Sequence, residues 1–384
     1  MKKKVLFVAT VLRGHVLVFH LPYMRWFQEQ GYEVHLCCAN DTGEAEVTVP
    51  YCDRFFDLPF ARSPLSLHNR EVYKRLKQLM DRESYALIHC NTPVGGMLGR
   101  LCARGARKRG TKVVYTAHGF HFFTGAPLKN WLLYYPVERF LSRFTDLLIT
   151  INGEDYARAQ RFHAKKIAQV SGVGVELARF EKIVDRAQVR ADLGISANAL
   201  VVINVGEHIP RKNHETVLRT LALLSGVELL FCGVGEQEEA LQNLARELEM
   251  EKRVHFLGFR KDVPALLAAS DVFFFPSLQE GLPVSQMEAM AAGLPCVVSD
   301  VRGNADLISQ GEGGALCKPH DVNGFAEALT GLLGNPALRE EMGVRNRNEI
   351  RRYTLEVVLE QMAALYREQL KAGFEKGEHP CKER

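Results

Sequence analysis

Two carboxylates, two adjacent cations, a histidine and a lone glycine are the residues of this chain whose types and places could do chemistry. Glu280 and Glu288 lie within DVFFFPSLQEGLPVSQMEAMAAGLPCVVSDVRGN, residues 271–304. One falls in a loop and the other at a helix start, so both can be aimed at the hydroxyls of one ligand. Arg211 and Lys212 belong to the loop GEHIPRKNH, residues 206–214. Adjacent positive charges beside a helix start suit a diphosphate, because the first amides of the helix add donors. His118, in TAHGFHFF, follows an apolar run and stands among aromatics that read as exposed. The reference imidazole pKa of about 6.5 allows proton transfer near neutrality. Gly14, in the turn after the first apolar run, could let backbone approach a phosphate. Plainer readings stand beside these: Glu288 as the carboxylate of a capping box, Glu280 as a loop acid, Arg211 and Lys212 as a solvated loop, His118 on a backbone carbonyl, Gly14 as a tight turn.

The elements that must hold these residues follow from the flanking pattern. Val272 to Phe275 has the length and composition of a buried parallel strand, ended by Pro276 and Ser277. Ser285-Gln-Met-Glu288 has the form of a capping box, and Ala289 to Ala292 continue a helix that Gly293 and Pro295 stop. Cys296 to Ser299 then starts another strand. Strand, loop, helix, strand is the unit in which ligands bind at the carboxyl ends of strands. The same alternation opens the chain. Val5 to Val11 reads as a strand, Leu12 to His15 as a turn, Leu17 to Glu29 as a helix and Glu33 to Cys38 as a strand, without a GxGxxG fingerprint. It restarts at Leu200 to Val205, followed by a helix over Glu215 to Leu224 and strands at Val227 to Cys232 and Val254 to Leu257, the last just before Gly258, Phe259 and Arg260.

With 384 residues and 47% hydrophobic residues, the chain is long enough for two similar domains. The expected division is 1–171, a linker over 172–197, a second domain over 198–354, a helix over 355–374 returning to the first domain, and a polar, disordered tail over 375–384. The formal net charge of +4 is too small to argue for nucleic acid. The first 110 residues carry 17 Lys and Arg against 10 Asp and Glu. A helix over 68–81, with Leu67, Val72, Leu76 and Leu79 toward the core, would set its basic face in water or against anionic lipid. A second basic cluster, Arg100 to Lys112, reads as a surface helix end. No run reaches the length of a membrane span, and the first apolar run fits a strand better than a leader. The nine cysteines show no CxxC spacing, so buried free thiols in a reducing cytoplasm are expected. No DxD pair stands at a strand end to hold a divalent ion.

The 271–304 stretch resembles the E-x7-E signature of the family 4 glycosyltransferases, here as PSLQEGLPVSQMEAMAAGLPCVV. The resemblance extends to the first strand and turn, the His118 loop, residues 172–180 and the opening of the second domain. KVLFVAT and TAHGFHFF look most like the bacterial capsule and exopolysaccharide transferases. It implies an α/β chain of GT-B fold, two Rossmann-like β/α/β domains facing across a cleft. It also implies retaining transfer of a sugar from a nucleotide-diphosphate sugar, UDP-linked and metal-independent, to a polyprenyl-diphosphate-linked saccharide. The implied place is cytoplasmic, with peripheral contact at the inner face of the membrane through the basic first domain. Under the resemblance His118, Glu280 and Lys212 serve transfer, Lys212 and Arg211 meet the diphosphate, and Glu288 meets the ribose. Gly14 lies beneath the phosphates, Gly281, Leu282, Pro283, Val284 and Ser285 line the diphosphate and sugar, and Gly258, Phe259 and Arg260 approach the base. One position departs from the pattern: Glu207 stands where many members have a second phosphate-binding arginine. It is expected to turn away, with Arg211 or His208 compensating. A nucleotide-sugar epimerase of the same architecture and a noncatalytic nucleotide-sugar-binding protein are the alternative classes.

Overall fold

Val5 to Ala9 and Val201 to Ile203 are buried over their whole length, as strands covered on both faces must be. In the computed structural model, which describes residues 2–371, such runs form two parallel sheets. The chain divides into two compact units, one of residues 1–172 and 356–384, the other of residues 173–355.

The first unit holds a seven-stranded sheet in the order β3-β2-β1-β4-β5-β6-β7. Its strands are β1 (Lys4–Val11), β2 (Glu33–Ala39), β3 (Arg54–Asp57), β4 (Tyr85–Asn91), β5 (Lys112–Ala117), β6 (Leu147–Thr150) and β7 (Lys166–Gln169). The order reverses between β1 and β4, which pair in parallel with Leu6 opposite Ile88 and Phe7 opposite His89. The final helix, Leu355–Lys371, joins this unit from Glu356 onward. Its Tyr366 stacks on Trp26, with ring centroids 5.6 Å apart, and its hydroxyl lies 2.8 Å from His89 Nδ1.

The second unit holds a six-stranded sheet in the order β10-β9-β8-β11-β12-β13. Its strands are β8 (Leu200–Val205), β9 (Val227–Cys232), β10 (Val254–Gly258), β11 (Val272–Phe275), β12 (Cys296–Ser299) and β13 (Gly314–Cys317). Here the reversal lies between β8 and β11, with Val272 opposite Val202. Loops that leave strands at such a reversal part from one another and open a ligand site between them.

Several expectations change. The turn after β1 is a π-helical turn, Leu12–Val16, and the helix beyond it breaks into Leu17–Phe19 and Leu21–Glu29. Strand β3 and the helix Leu128–Leu141 have no counterpart in the sequence reading. Leu67, expected in the core, is 70% exposed. Arg100, read as part of a surface cluster, is fully buried, with its guanidinium 3.8 Å above the Tyr115 ring and 2.8 Å from Glu138. Phe120 and Phe122 beside His118 are core residues. The capping box at Ser285 is absent: the helix runs Val284–Ala292 from Pro283, and no side chain caps it. Starting two residues earlier, with Pro283 in place of Ser285 as N-cap, puts Glu288 in the second turn, out of reach of the orphan amides. The cysteines are free thiols among the described residues, and the expected tail over 375–384 lies outside them.

Candidate active site

In the second unit, the loops after β8 and β11 meet. From β8 the chain passes Gly206 into a short turn, Pro210–Lys212, and on through Asn213 to the helix His214–Ala222. Asn213, left-handed at φ 57°, donates from Nδ2 to Pro276 O at 2.9 Å and Pro319 O at 2.7 Å. It therefore ties the loops after β8, β11 and β13 together. Leu278 N donates to Arg211 O at 2.9 Å, a second tie.

These ties bring Arg211, Lys212 and Glu280 together. Lys212 Nζ lies 2.7 Å from Glu280 Oε1 and 4.7 Å from the centre of the Phe275 ring. Arg211 Nη1 lies 3.3 Å from the same carboxylate and donates to Gln279 O at 2.9 Å. Ser277 Oγ is 2.6 Å from Glu280 Oε1, and Arg302 Nε donates to Glu280 O at 3.0 Å. Glu280 is buried; Lys212 and Arg211 keep part of their surface in solvent. A half-open pair of cations balanced by one buried carboxylate can receive an anion, and a nine-residue helix begins at Val284, just beyond Glu280. Its first-turn amides have no helical acceptors. Gly281, Val284 and Ser285 are half-buried there, and Leu282 and Pro283 are buried beneath them.

Glu207 is exposed, and it is in no ion pair among the described residues. Its carbonyl, 3.0 Å from His214 Nε2, carries the local hydrogen bond. His208 does not take over the missing cation's place, because it is buried against His214 and Phe231 and burial lowers its pKa. Arg211 is the second cation of the loop. The backbone around it approaches its neighbours closely: a Cβ on Gly233 would stand 1.9 Å from Gly206 O, so only glycine fits at the end of β9. Gly233 N donates to Gly258 O at 2.9 Å. Gly258, at φ +62°, turns the chain so that Phe259 stands 74% exposed, and Arg260 pairs with Asp262 at 2.5 Å. An exposed aromatic ring at a strand end can stack on a base.

Glu288 is held apart from this cluster's cations by its own partner. Arg179 Nη1, on the turn Leu177–Arg179, lies 2.8 Å from its Oε1. Burial raises the carboxyl's pKa and the arginine opposes the rise.

In the first unit His118 follows β5 and meets two histidines the sequence reading passed over. His15 lies on the π-helical turn after β1, and His20 on the bend before Leu21–Glu29. Ring centroids are 4.8 Å apart for His15 and His118, 4.7 Å for His15 and His20, and 5.7 Å for His20 and His118. His15 Nε2, His118 Nε2 and both nitrogens of His20 are buried without a hydrogen-bond partner. His89, next to them, is satisfied on both sides, by Thr116 Oγ1 and Tyr366 Oη, each at 2.8 Å. Burial depresses the trio, His118 to about 4, and the neighbouring rings add to it for His15, lowered to about 2, and for His20, held well below its usual value. His118 is therefore a neutral hydrogen-bonding group near pH 7, not the proton shuttle its reference pKa suggests. One ring nitrogen from each histidine lies within 4.8 Å of the other two, and three imidazoles are a donor set that Zn²⁺ accepts. The signal in the sequence was two histidines five residues apart, His15 on the turn that carries Gly14 and His20 just beyond it. Gly14 itself faces open space, since a Cβ there would meet only Val11 Cγ2, at 3.9 Å. Among the described residues, no contact requires a glycine at that position.

Residues 4–152 match the family Glycosyl transferase 4-like, and residues 185–349 match Glycosyl transferases group 1. Over 374 residues the chain is 40% identical to EpsD of Bacillus subtilis (strain 168), provisionally described as a glycosyltransferase; the match covers 95% of this chain and 97% of EpsD. The chain belongs to the GT-B-fold glycosyltransferases. The epimerase and binding-protein alternatives fall with that match. This glycosyltransferase is also 29% identical over 318 residues to the UDP-Gal:alpha-D-GlcNAc-diphosphoundecaprenol alpha-1,3-galactosyltransferase of Escherichia coli, covering 80% of this chain and 81% of that one. Among solved structures, HepE of Anabaena in complex with UDP and glucose superposes with a TM-score of 0.78 at 19% identity, over 95% of this glycosyltransferase and all of HepE. That likeness is one of fold.

Proposed function

We propose that this glycosyltransferase moves a sugar, with retention at the anomeric carbon, from a UDP-linked donor to a saccharide carried on a polyprenyl diphosphate. In this reading it works without a metal, in cell-surface polysaccharide synthesis on the cytoplasmic side of the membrane. The observation that carries the donor half is the junction of Arg211, Lys212 and Glu280 where the strand order reverses, beside the start of the helix Val284–Ala292. The bond from the anomeric carbon to the diphosphate oxygen breaks and one to the acceptor oxygen forms on the same face. The acceptor's hydroxyl proton passes to the departing diphosphate. Lys212, Arg211 and the first-turn amides stabilise the charge that develops there. Glu280 accepts from a donor-sugar hydroxyl, Glu288 from the ribose, and Phe259 stacks on the base. His118 orients the acceptor hydroxyl as a neutral imidazole. His15 and His20, with unsatisfied nitrogens beside it, are the added candidates for acceptor contact.

The lipid-linked acceptor is supported by the Escherichia coli relative, whose name specifies a diphosphoundecaprenol substrate. The test is a thermal-melt screen of nucleotide sugars. A ligand at a hundred times its Kd stabilises by about 2.7 kcal/mol. A selective rise in melting temperature with one UDP-sugar supports the reading, and no rise with any nucleotide sugar rejects it.

A further inference from the structure

The helix Leu128–Leu141 is apolar on both sides. At about 100° per residue, Asn130, Trp131, Tyr134, Tyr135, Glu138 and Leu141 share one arc. That arc faces the first unit: Trp131, Tyr134 and Tyr135 pack on its core, and Glu138 reaches the buried Arg100 at 2.8 Å. The opposite arc carries Leu128, Leu132, Leu133, Val137 and Phe140, from 40% to 72% exposed. Scattered surface leucines need no explanation, but a whole helix face of them does.

The charges on that face have one sign. Lys129 and Arg139 are exposed on the same arc, Arg143 is exposed just past the helix end, and none is in an ion pair among the described residues. The other basic stretches of the unit are partly neutralised by their own neighbours, although Arg70, Lys74, Arg104 and Lys108 are in no ion pair among the described residues. Along His68–Arg82, Arg75 pairs with Glu71 and Lys77 with Asp81, and in the second cluster Arg107 pairs with Asp146. A solvated surface would mix signs, and a protein partner's core would exclude the cations. An apolar face flanked by unpaired cations matches the headgroup boundary of an anionic bilayer.

We propose that the outer face of Leu128–Leu141 is the surface by which this glycosyltransferase docks on anionic phospholipid. The inference deepens the membrane contact of the reading above and gives it an element. The inner face of the same helix touches the loop that carries His118: Tyr134 stacks on His121, with centroids 4.6 Å apart, and Asn130 Nδ2 donates to His121 O at 2.9 Å. Docking thus sets the proposed acceptor-contact loop next to the lipid phase from which the acceptor comes.

The test is flotation of the full chain with vesicles of phosphatidylcholine, with and without phosphatidylglycerol, in the absence of donor and acceptor. The wild type floats with the anionic vesicles, roughly tenfold or more tighter than with neutral ones. Leu132→Ser with Phe140→Ser lowers that binding by roughly tenfold or more. Lys129→Gln with Arg139→Gln and Arg143→Gln removes the preference for anionic lipid. Both variants keep the wild-type melting temperature and transfer to a water-soluble acceptor, because the altered side chains face outward. A wild type that stays unbound, or variants that float as well as it does, overturns the proposal. So does a wild-type dimer that the leucine and phenylalanine substitutions dissociate without any flotation, which would assign the face to a second copy. A wrong acceptor assignment leaves flotation unchanged, so the two readings fail separately.

Discussion

Lys212 Nζ and Glu280 Oε1, 2.7 Å apart, join the loops after β8 and β11 across the reversal of the second sheet. Under the proposed function Lys212 has two states, one neutralised by Glu280 and one turned to a diphosphate, and donor binding loosens the pair so that Glu280 can accept from the sugar. Lys212→Met is expected to lower transfer by roughly 10²-fold. It also costs about 2 kcal/mol of stability, because Glu280 stays buried with Arg211 and Ser277 as its remaining partners. Adding Glu280→Gln restores the stability and not the activity. Urea melts and initial rates on the two variants check this, and a double variant as unstable as the single one rejects the coupling.

Glu280→Ala is expected to act mainly on turnover, since the proposed role of the residue is to meet the sugar. Glu288→Ala acts mainly on donor affinity, by roughly tenfold for a lost hydrogen-bonded carboxylate. Calorimetric titration of UDP separates the two. Unchanged affinity and turnover in both variants would remove these residues from the site.

These roles rest on positions the chain shows openly. VVINV, VELLFC and VFFF are apolar runs, broken only by Asn204 and Glu228 and closed by glycine, proline or a polar turn, and such runs leave a covered parallel strand as the ready reading. The cations and carboxylates at their ends were visible for the same reason. What stayed hidden depends on tertiary neighbours. His15 and His20 become part of a three-histidine cluster only when β5 delivers His118 beside them. Arg100 is buried because Tyr115 and Glu138 receive it, and neither is near it in sequence. The helix Leu128–Leu141 has apolar residues around its whole circumference and Pro136 within it, so no helical period marks it. At Ser285 the local pattern misled, since Pro283 starts the helix two residues early.

Acid should unfold the protein through its neutral histidines. His89 and His214 are held to about 3, chiefly by burial, against about 6.5 unfolded. As pH falls below about 6.5 the unfolded chain takes up protons that the folded one refuses. Their contribution is therefore whole above that pH and is lost progressively as pH falls toward about 3. Each costs about 1.4 kcal/mol per pH unit inside that window. Denaturant melts between about pH 7.5 and pH 5.0 measure it, and a stability that is level across that range contradicts the assignment.

Chelation tests the metal-free reading. Dialysis against EDTA is expected to leave transfer unchanged, since cations and amides supply the positive charge. Activity lost on dialysis and restored by Zn²⁺ would put an ion on His15, His20 and His118 instead.

The central claim is retaining transfer from a UDP-sugar, and the anomeric configuration of the product tests it most directly. Proton NMR of the saccharide made from an α-linked UDP-sugar on a polyprenyl-diphosphate-linked acceptor should show the small coupling of an α-linkage, with UDP released in equal amount and no product from Glu280→Ala. A β-linked product, or donor turnover that never yields a new glycosidic bond, would contradict the account.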